Sequence, residues 1–168
     1  MYKTFETERL ILKPTDLEDA EFILALLNTP KWLQFIGDRN VQDVEDAIHY
    51  INSRVLYQYE RLGYGNYTVI RKEDGVKIGS CGLYDREGLE GIDIGFAFFP
   101  EYEGKGYGFE AASRILKAAI EDFSLIKIKA ITNLENFASQ KLLEKIGLVK
   151  VDKIILHNDE LFLFELNV

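Results

Sequence analysis

Three glycines within five positions, Gly104, Gly106 and Gly108, are the feature that most constrains this fold. They lie between an apolar, strand-like run at 92–99 and a helix-like run at 111–120. Glycine has no Cβ, so another group can approach such a backbone closely. The first amides of a helix have no partner within the helix, and the helix dipole favours an anion beside them. The segment therefore predicts a phosphate-binding turn between a strand and a helix, with a turn that binds nothing as the alternative.

Two familiar phosphate motifs do not fit this segment. A P-loop requires Gly-Lys followed by Ser or Thr, but here Lys105 is followed by Gly106. A dinucleotide fingerprint requires a third glycine, where this chain has Phe109, and it also requires a first-strand βαβ context that is missing here. The predicted phosphate-binding turn is therefore neither a P-loop nor a Rossmann dinucleotide-binding turn.

Composition limits the class of protein. A chain of 168 residues with 47% hydrophobic residues is expected to form one globular domain, 1–168. The net charge of −8 argues against nucleic-acid binding, which needs a basic surface, and is most simply explained by solubility. We therefore expect neither a nucleic-acid partner nor, because long apolar runs are missing, a membrane.

Cysteine and histidine usage indicates the cellular compartment and bears on metal binding. Cys81 is the one cysteine, so no internal disulfide forms, which is typical of a reducing compartment. The two histidines have no metal-site spacing relative to Cys81, so no metal is expected. The charged stretch 1–10 does not resemble a signal peptide. We expect a cytoplasmic protein.

Periodicity and turn signals predict the order β-α-α-β-β-β-α-β-α-β-β. A capping-box spacing of Thr15 and Glu18 predicts the start of the first helix, and Thr29-Pro30 its end, with an apolar loop at 32–37. A second helix is predicted from Asp43 to the glycines at 63 and 65. The remaining predicted elements are strands 9–13, 66–71, 77–84, 91–99 and 125–132, helices 104–122 and 135–146, and a closing hairpin of 148–156 and 161–166.

This order, together with two motifs, resembles the GNAT superfamily of acetyl-CoA-dependent N-acetyltransferases. The motifs are IGFAFFPEYEGKGYGFEA at 94–111 and NLENFASQKLLEKIGL at 133–148, and the start TERLILKPTDLEDA is also similar. They resemble the ribosomal-protein N-terminal (RimJ/RimL-like) branch. The resemblance covers essentially the whole chain. It implies an α/β (α+β) fold with a central, mostly antiparallel mixed sheet of about seven strands, flanked by about four helices and splayed between strands four and five.

The resemblance also implies acetyl-CoA as co-substrate. The backbone of Gly104, Lys105, Gly106, Tyr107 and Gly108 would hold the CoA diphosphate. Backbone groups along Phe96, Ala97 and Phe98 of the splayed strand would bind the pantetheine arm, with an amide near Phe96 polarising the reacting carbonyl. The family places Gln or Arg where this chain has Glu103, whose side chain we expect to point into solvent.

Two residues on the following helix complete this implied cofactor site. Asn136 matches the family position that contacts CoA, although Asn is also favoured at a helix N-cap. Ser139 lies one turn later on the same face. The family often places a Tyr acid where this chain has Leu143, and we take Ser139 as its substitute for protonating the departing thiolate, directly or through water.

Two carboxylates are candidate bases for the acceptor amine. Asp93 precedes Ile94-Gly95 on strand four, where relatives often carry Asp or Glu, and Glu160 lies in the closing hairpin. The alternatives are that Asp93 is an exposed strand carboxylate without a catalytic role, that Glu160 is a solvated turn residue, and that water acts as the base.

The acceptor is expected to be a primary amine, either a protein N-terminus or a small molecule. Trp32, Leu33 and Phe35 are candidates for the wall of its cleft, or for a hydrophobic staple under the loop. The apolar segment 161–164 is either core or a homodimer surface. A non-catalytic acyl-CoA-binding module on the same fold is the second hypothesis, and the fold alone does not distinguish the two.

Overall fold

The computed structural model describes residues 2–168. Its strands are β1 Phe5–Glu6, β2 Leu10–Pro14, β3 Asn66–Arg71, β4 Lys77–Tyr84, β5 Asp93–Phe98, β6 Lys127–Asn133, β7 Val149–Leu156 and β8 Asp159–Asn167. They form a single eight-stranded sheet in the order β1-β2-β3-β4-β5-β6-β8-β7. The α-helices are α1 Ala20–Leu27, α2 Pro30–Phe35, α3 Val44–Tyr50, α4 Tyr57–Leu62, α5 Tyr107–Glu121 and α6 Phe137–Lys145.

The sheet consists of two antiparallel parts that meet weakly. β1 to β5 form a meander, and β6 pairs with β8, which pairs with β7. Between the parts, β5 and β6 run parallel and pair only at Asp93 and Lys129. The expected splay is therefore confirmed, and it lies between β5 and β6. The sheet has eight strands instead of about seven because Phe5–Glu6 adds a short edge strand.

Helix α5 is held close to the sheet by small side chains. Ala111, Ala112, Ala118 and Ala119 are fully buried, together with Ile115. Their spacing follows the helical period, so one stripe of α5 packs on β2, β4 and β5. This packing fixes the first turn of α5, and with it the glycine segment, relative to the end of β5.

The start of the first helix differs from the prediction. Asp16, not Thr15, is the cap: its carboxylate accepts from the Glu18 amide at 2.9 Å, and Asp19 accepts from the Asp16 amide at 3.0 Å. This capping box opens a 3-10 turn that leads into α1. The Thr15 hydroxyl is instead buried and lies 2.8 Å from the Thr68 hydroxyl. The predicted capping box of Thr15 and Glu18 is therefore wrong by one residue, because Asp16 and Asp19 form it.

The predicted apolar loop at 32–37 was wrong, because Pro30–Phe35 forms α2. Thr29 caps this helix through the Trp32 amide at 3.4 Å, with Pro30 in the first turn. Proline is favoured at that position, since its missing N–H has no helical partner there. Thr29-Pro30 therefore ends α1 as predicted and also starts α2.

The second predicted helix is confirmed over its length but is not a uniform α-helix. A π-helical segment, Ile51–Leu56, separates α3 from α4. Gly63 ends α4 with φ +82°, the left-handed conformation typical of a glycine after a helix. The closing hairpin is confirmed with a tighter turn at His157 and Asn158, both at positive φ. In the described part of the chain, no helix is long and apolar enough to cross a membrane.

Candidate active site

The glycine segment leaves the sheet where β5 ends and turns into α5. Gly104 and Gly106 have φ of +73° and +84°, so both need the freedom of glycine. Gly108 is needed for a different reason: a Cβ there would lie 3.2 Å from Leu142 and 3.7 Å from Phe98. Two of the glycines shape the turn, and the third lets α5 pack against α6 and β5.

The amides of this segment are free. Among residues 2–168, the amides of Gly104, Lys105 and Gly106 donate to no backbone carbonyl, and the first helical bond is from Glu110 to Gly106 at 3.1 Å. The amides of Tyr107, Gly108 and Phe109 belong to the first turn, so they have no helical acceptor. A run of unpaired N–H groups at a helix N-terminus fits a diphosphate well.

The splay exposes the other edge of β5. The Phe99 amide donates to the Ile78 carbonyl of β4 at 3.1 Å, whereas the Ile92 carbonyl accepts from the Lys129 amide of β6 at 2.9 Å. Backbone groups of successive residues point to opposite edges of a strand. The odd-numbered residues of β5 therefore face β4, and the even-numbered residues, including Phe96 and Phe98, face β6 and the gap. The predicted Ala97 differs, because its backbone faces β4, where it is paired with Ser80. An extended amide-bearing ligand such as pantetheine fits beside Phe96 and Phe98 as an added strand.

Asn136 and Ser139 lie across the gap from β5. Because β5 and β6 run parallel, their carboxyl ends share one edge of the sheet, and α6 starts just after β6. The Asn136 side-chain oxygen accepts from the Ser139 amide at 3.3 Å, so Asn136 caps α6. Its side-chain NH₂ donates to nothing in the described chain, which leaves it available to a ligand. Capping and ligand binding, left open by the sequence, are therefore compatible.

An open cleft of about 840 Å³ lies beside the gap. Its lining includes the predicted Asp93, Phe96, Asn136 and Ser139, together with Trp32, Leu33 and Phe35. Side chains of the π-helical segment line it as well, among them Ser53 and Arg54. The glycine segment is not part of this lining, so the glycine segment and the cleft are separate regions of the molecule.

Asp93 is buried at the base of the cleft, with 1% of its surface exposed, so it is not an exposed strand carboxylate. Its two oxygens accept from the Arg86 Nε at 2.8 and 2.9 Å. Burial raises the pKa of Asp93 above its ordinary value, and the Arg86 charge limits the rise. The side chain is thus a somewhat stronger proton acceptor than an ordinary aspartate.

The remaining predicted residues are more dispersed. Glu160 is exposed, pairs with Lys153 at 3.6 Å and does not line the cleft, so the structure does not bring it to Asp93. Leu143, at the position of the family Tyr, is buried and lines the cleft. No group of three or more His, Cys, Asp or Glu side chains suited to a metal occurs within residues 2–168.

Glu103 does not simply point into solvent as expected. Its side chain is only 34% exposed, and its carboxylate pairs with Lys31 of α2. The negative charge before the glycine segment is therefore partly neutralised by a residue of α2, a helix that also contributes to the lining of the cleft.

Sequence reasoning missed the partners of these residues. Arg86, which holds Asp93, carried no signal because the two meet only across the β4–β5 connection. Arg9 and Glu110 form an ion pair at 2.7 Å beside the glycine segment. Burial alone would raise the pKa of Glu110, but hydrogen bonds from Thr7 and Arg9 outweigh it and hold the pKa below its usual value. The family similarity of the stretch at 7–20 was the available signal for Arg9, although it did not indicate a role.

Sequence comparison identifies related chains. Residues 9–149 match the family model for the acetyltransferase (GNAT) domain. An uncharacterised N-acetyltransferase, YoaA of Bacillus subtilis, is 28% identical over 89% of this chain and 85% of its own. A second relative, the uncharacterised N-acetyltransferase p20 of Bacillus licheniformis, is 30% identical over 88% of this chain and 83% of its own.

Solved structures share the fold. An acetyltransferase from Agrobacterium tumefaciens superposes with a TM-score of 0.85 at 21% identity, covering 100% of this chain and 96% of its own. A ribosomal-protein-S5-alanine acetyltransferase from Vibrio fischeri has a TM-score of 0.82 at 20% identity, covering 98% of this chain and 96% of its own. The ribosomal L7/L12 acetyltransferase RimL, solved with coenzyme A, has a TM-score of 0.81 at 14% identity, covering 99% of this chain and 98% of its own.

The splayed sheet, the free amides of the glycine segment and the family match over most of the chain lead to one conclusion. The chain belongs to the GNAT family and is an acyl-CoA-dependent acetyltransferase.

Proposed function

We propose that this enzyme transfers the acetyl group of acetyl-CoA directly to a primary amine while both substrates are bound. The observation that carries the proposal is the cleft that meets the β5–β6 gap. Both Phe96, whose backbone faces the gap, and Asp93 are among the residues that line this one space. Holding two reactants in one cleft supplies much of the rate by proximity alone.

The chain supplies a group for each requirement of the reaction. CoA supplies the activated acetyl group as a thioester. Asp93, or a water molecule beside it, accepts the proton of the incoming ammonium, because an alkyl amine is mostly protonated near neutral pH. The Phe96 amide donates to the acetyl carbonyl oxygen where negative charge develops. As the carbon–nitrogen bond forms and the carbon–sulfur bond breaks, Ser139 donates its hydroxyl proton to the sulfur and takes up, directly or through water, the second proton that the nitrogen loses.

The acceptor we propose is a protein N-terminus or a small-molecule amine. Two structural neighbours are named for ribosomal proteins, which favours a protein N-terminus as the first class to screen. The use of acetyl-CoA and the single, buried Cys81 are consistent with our expectation of a cytoplasmic location.

The test combines cofactor binding with turnover. CoA binding is measured by calorimetry, and CoA release from acetyl-CoA is then followed with a panel of peptide N-termini, polyamines, amino sugars and amino acids. Micromolar binding and release with at least one amine are expected. Folded protein that binds CoA but releases no CoA from acetyl-CoA with any amine would contradict the proposal. The hypothesis of a non-catalytic acyl-CoA-binding module would then be favoured.

A further inference from the structure

Arg9, just before β2, makes a set of contacts with the glycine segment and α5 that the reaction described above does not use. Its Nη1 donates to the Lys105 carbonyl at 3.1 Å, and its guanidinium lies 4.3 Å from the centre of the Tyr107 ring. Its Nε donates to Glu110 at 2.7 Å, and its backbone amide donates to the other oxygen of Glu110 at 2.9 Å. One side chain thus contacts the turn, the first residue of α5 and the first turn of α5.

The bond to Lys105 determines which way the turn presents its amides. In a trans peptide the carbonyl of one residue and the amide of the next point in opposite directions, and no cis peptide occurs within residues 2–168. Holding the Lys105 carbonyl toward Arg9 therefore directs the Gly106 amide away from Arg9. A Cβ on Gly106 would lie 3.2 Å from the Arg9 Nη2, so Arg9 covers that side of the turn.

The bond to Glu110 controls the charge beside the turn. A carboxylate in the first helical turn stabilises the helix but repels an anion bound there. Both oxygens of Glu110 are occupied, one by the Arg9 Nε and the other by the Arg9 amide and the Thr7 hydroxyl. Arg9 thus neutralises a negative charge next to the free amides.

We propose that Arg9 is a positioning residue for the CoA diphosphate, which it serves by fixing Lys105 and neutralising Glu110. The role is indirect, because Arg9 acts through the turn and not on the reacting atoms. This inference rests on the proposed function, since it assumes that the glycine segment binds the diphosphate.

The test separates the diphosphate from the rest of the cofactor. In Arg9→Gln, calorimetry with CoA is expected to show about tenfold weaker binding, the effect of losing a hydrogen bond from a charged group. The KM for acetyl-CoA rises by a similar factor with kcat nearly unchanged. The KM for S-acetylpantetheine, which has no diphosphate, stays at the parent value.

Lys3→Gln is the matched control. Lys3 also joins the N-terminal segment to α5, through Asp122 at 2.8 Å, but at the far end of the helix. It is expected to bind CoA like the parent. Unchanged CoA affinity in Arg9→Gln, or an equal loss for CoA and S-acetylpantetheine, would overturn the inference.

Arg9→Lys keeps the test decisive if Arg9→Gln does not fold. Lysine retains the charge but not the planar fork that reaches Lys105 and Glu110 together, so an intermediate CoA affinity is expected. Parent-like affinity in Arg9→Lys would show that charge alone suffices and would refute positioning. Parent protein that fails to bind CoA refutes the proposed function itself, which is a distinguishable result.

Discussion

The glycine segment and the proposed acceptor wall form their sites in different ways. The glycine segment, 104–108, presents backbone amides, whose direction is set by positive φ at Gly104 and Gly106. The acceptor wall, formed by α2, α3, the π-helical segment and α4, presents side chains such as Trp32 and Arg54. A backbone site tolerates many neighbouring sequences, whereas a side-chain site changes with each substitution. The cofactor end is therefore expected to be general in character, and the acceptor end specific to this protein.

The largest effect is expected from Gly106→Val. A β-branched residue does not adopt φ +84°, and its Cβ would crowd Arg9, so the turn must change shape. CoA affinity measured by calorimetry is expected to fall about a hundredfold, since several bonds to a charged ligand are lost together. Gly75→Val is the control, because Gly75 has φ +74° and open space around it but lies in the β3–β4 turn. Equal CoA affinity in the two variants would show that the conformation of the glycine segment does not determine CoA binding.

Asp93→Asn is expected to reduce kcat about a hundredfold, the usual contribution of a general base, with CoA affinity retained. The base must be deprotonated, and burial raises the pKa of Asp93 above its ordinary 3.8. The parent kcat/KM is therefore expected to fall as the pH drops through a range above that value, and the variant loses this limb.

An acceptor of low basicity separates catalysis from structure at Asp93. Removing the charge also leaves the half-buried Arg86 without its ionic partner. This lowers the folding stability by less than the roughly 3–5 kcal/mol of a fully buried pair, because 30% of the Arg86 side chain is exposed. An aromatic amine is already neutral near pH 7 and needs no base, so its rate is expected to be similar in parent and variant. A comparable loss with both amine types would show that Asp93 only supports the fold.

The sequence predicted the backbone site of the glycine segment better than the side-chain contacts of the rest of the site. Glycines at 104, 106 and 108 and a helix just beyond them are local signals, so the amide-lined turn and its order in the chain were predictable. Arg86 reaches Asp93, and Lys31 reaches Glu103, only through tertiary packing, and no local pattern encodes such pairs. The π-helical segment was hidden because its apolar stripe, which includes Ile51 and Val55, also fits an α-helix.

On the acceptor wall, Trp32→Ala is expected to raise the KM for the acceptor about tenfold with CoA affinity unchanged. Trp32 is half-buried, packs against the core and lines the cleft, so its removal widens the cleft. Trp32→Phe keeps an aromatic surface and is expected to restore most of the acceptor affinity. A loss of CoA affinity in Trp32→Ala would mean that the two regions are not separable.

The smallest effect concerns Glu103, which joins the two regions through its ion pair with Lys31. In Glu103→Gln, the carboxylate no longer repels the diphosphate, and Lys31 of α2 loses its partner. Exposed pairs of this kind contribute about 0–1 kcal/mol, so CoA affinity is expected to rise no more than about fivefold at low salt. The gain should disappear at high salt, because screening weakens interactions between exposed charges.

Glu101→Gln is the control for Glu103→Gln, since it removes the same charge from an exposed neighbour. An equal gain in both variants would mean that only the net negative field matters. A gain confined to Glu103→Gln supports a local effect of that carboxylate. A loss of affinity in Glu103→Gln would instead show that the Lys31–Glu103 pair holds α2 against the glycine segment, so that the acceptor wall helps to shape the cofactor site.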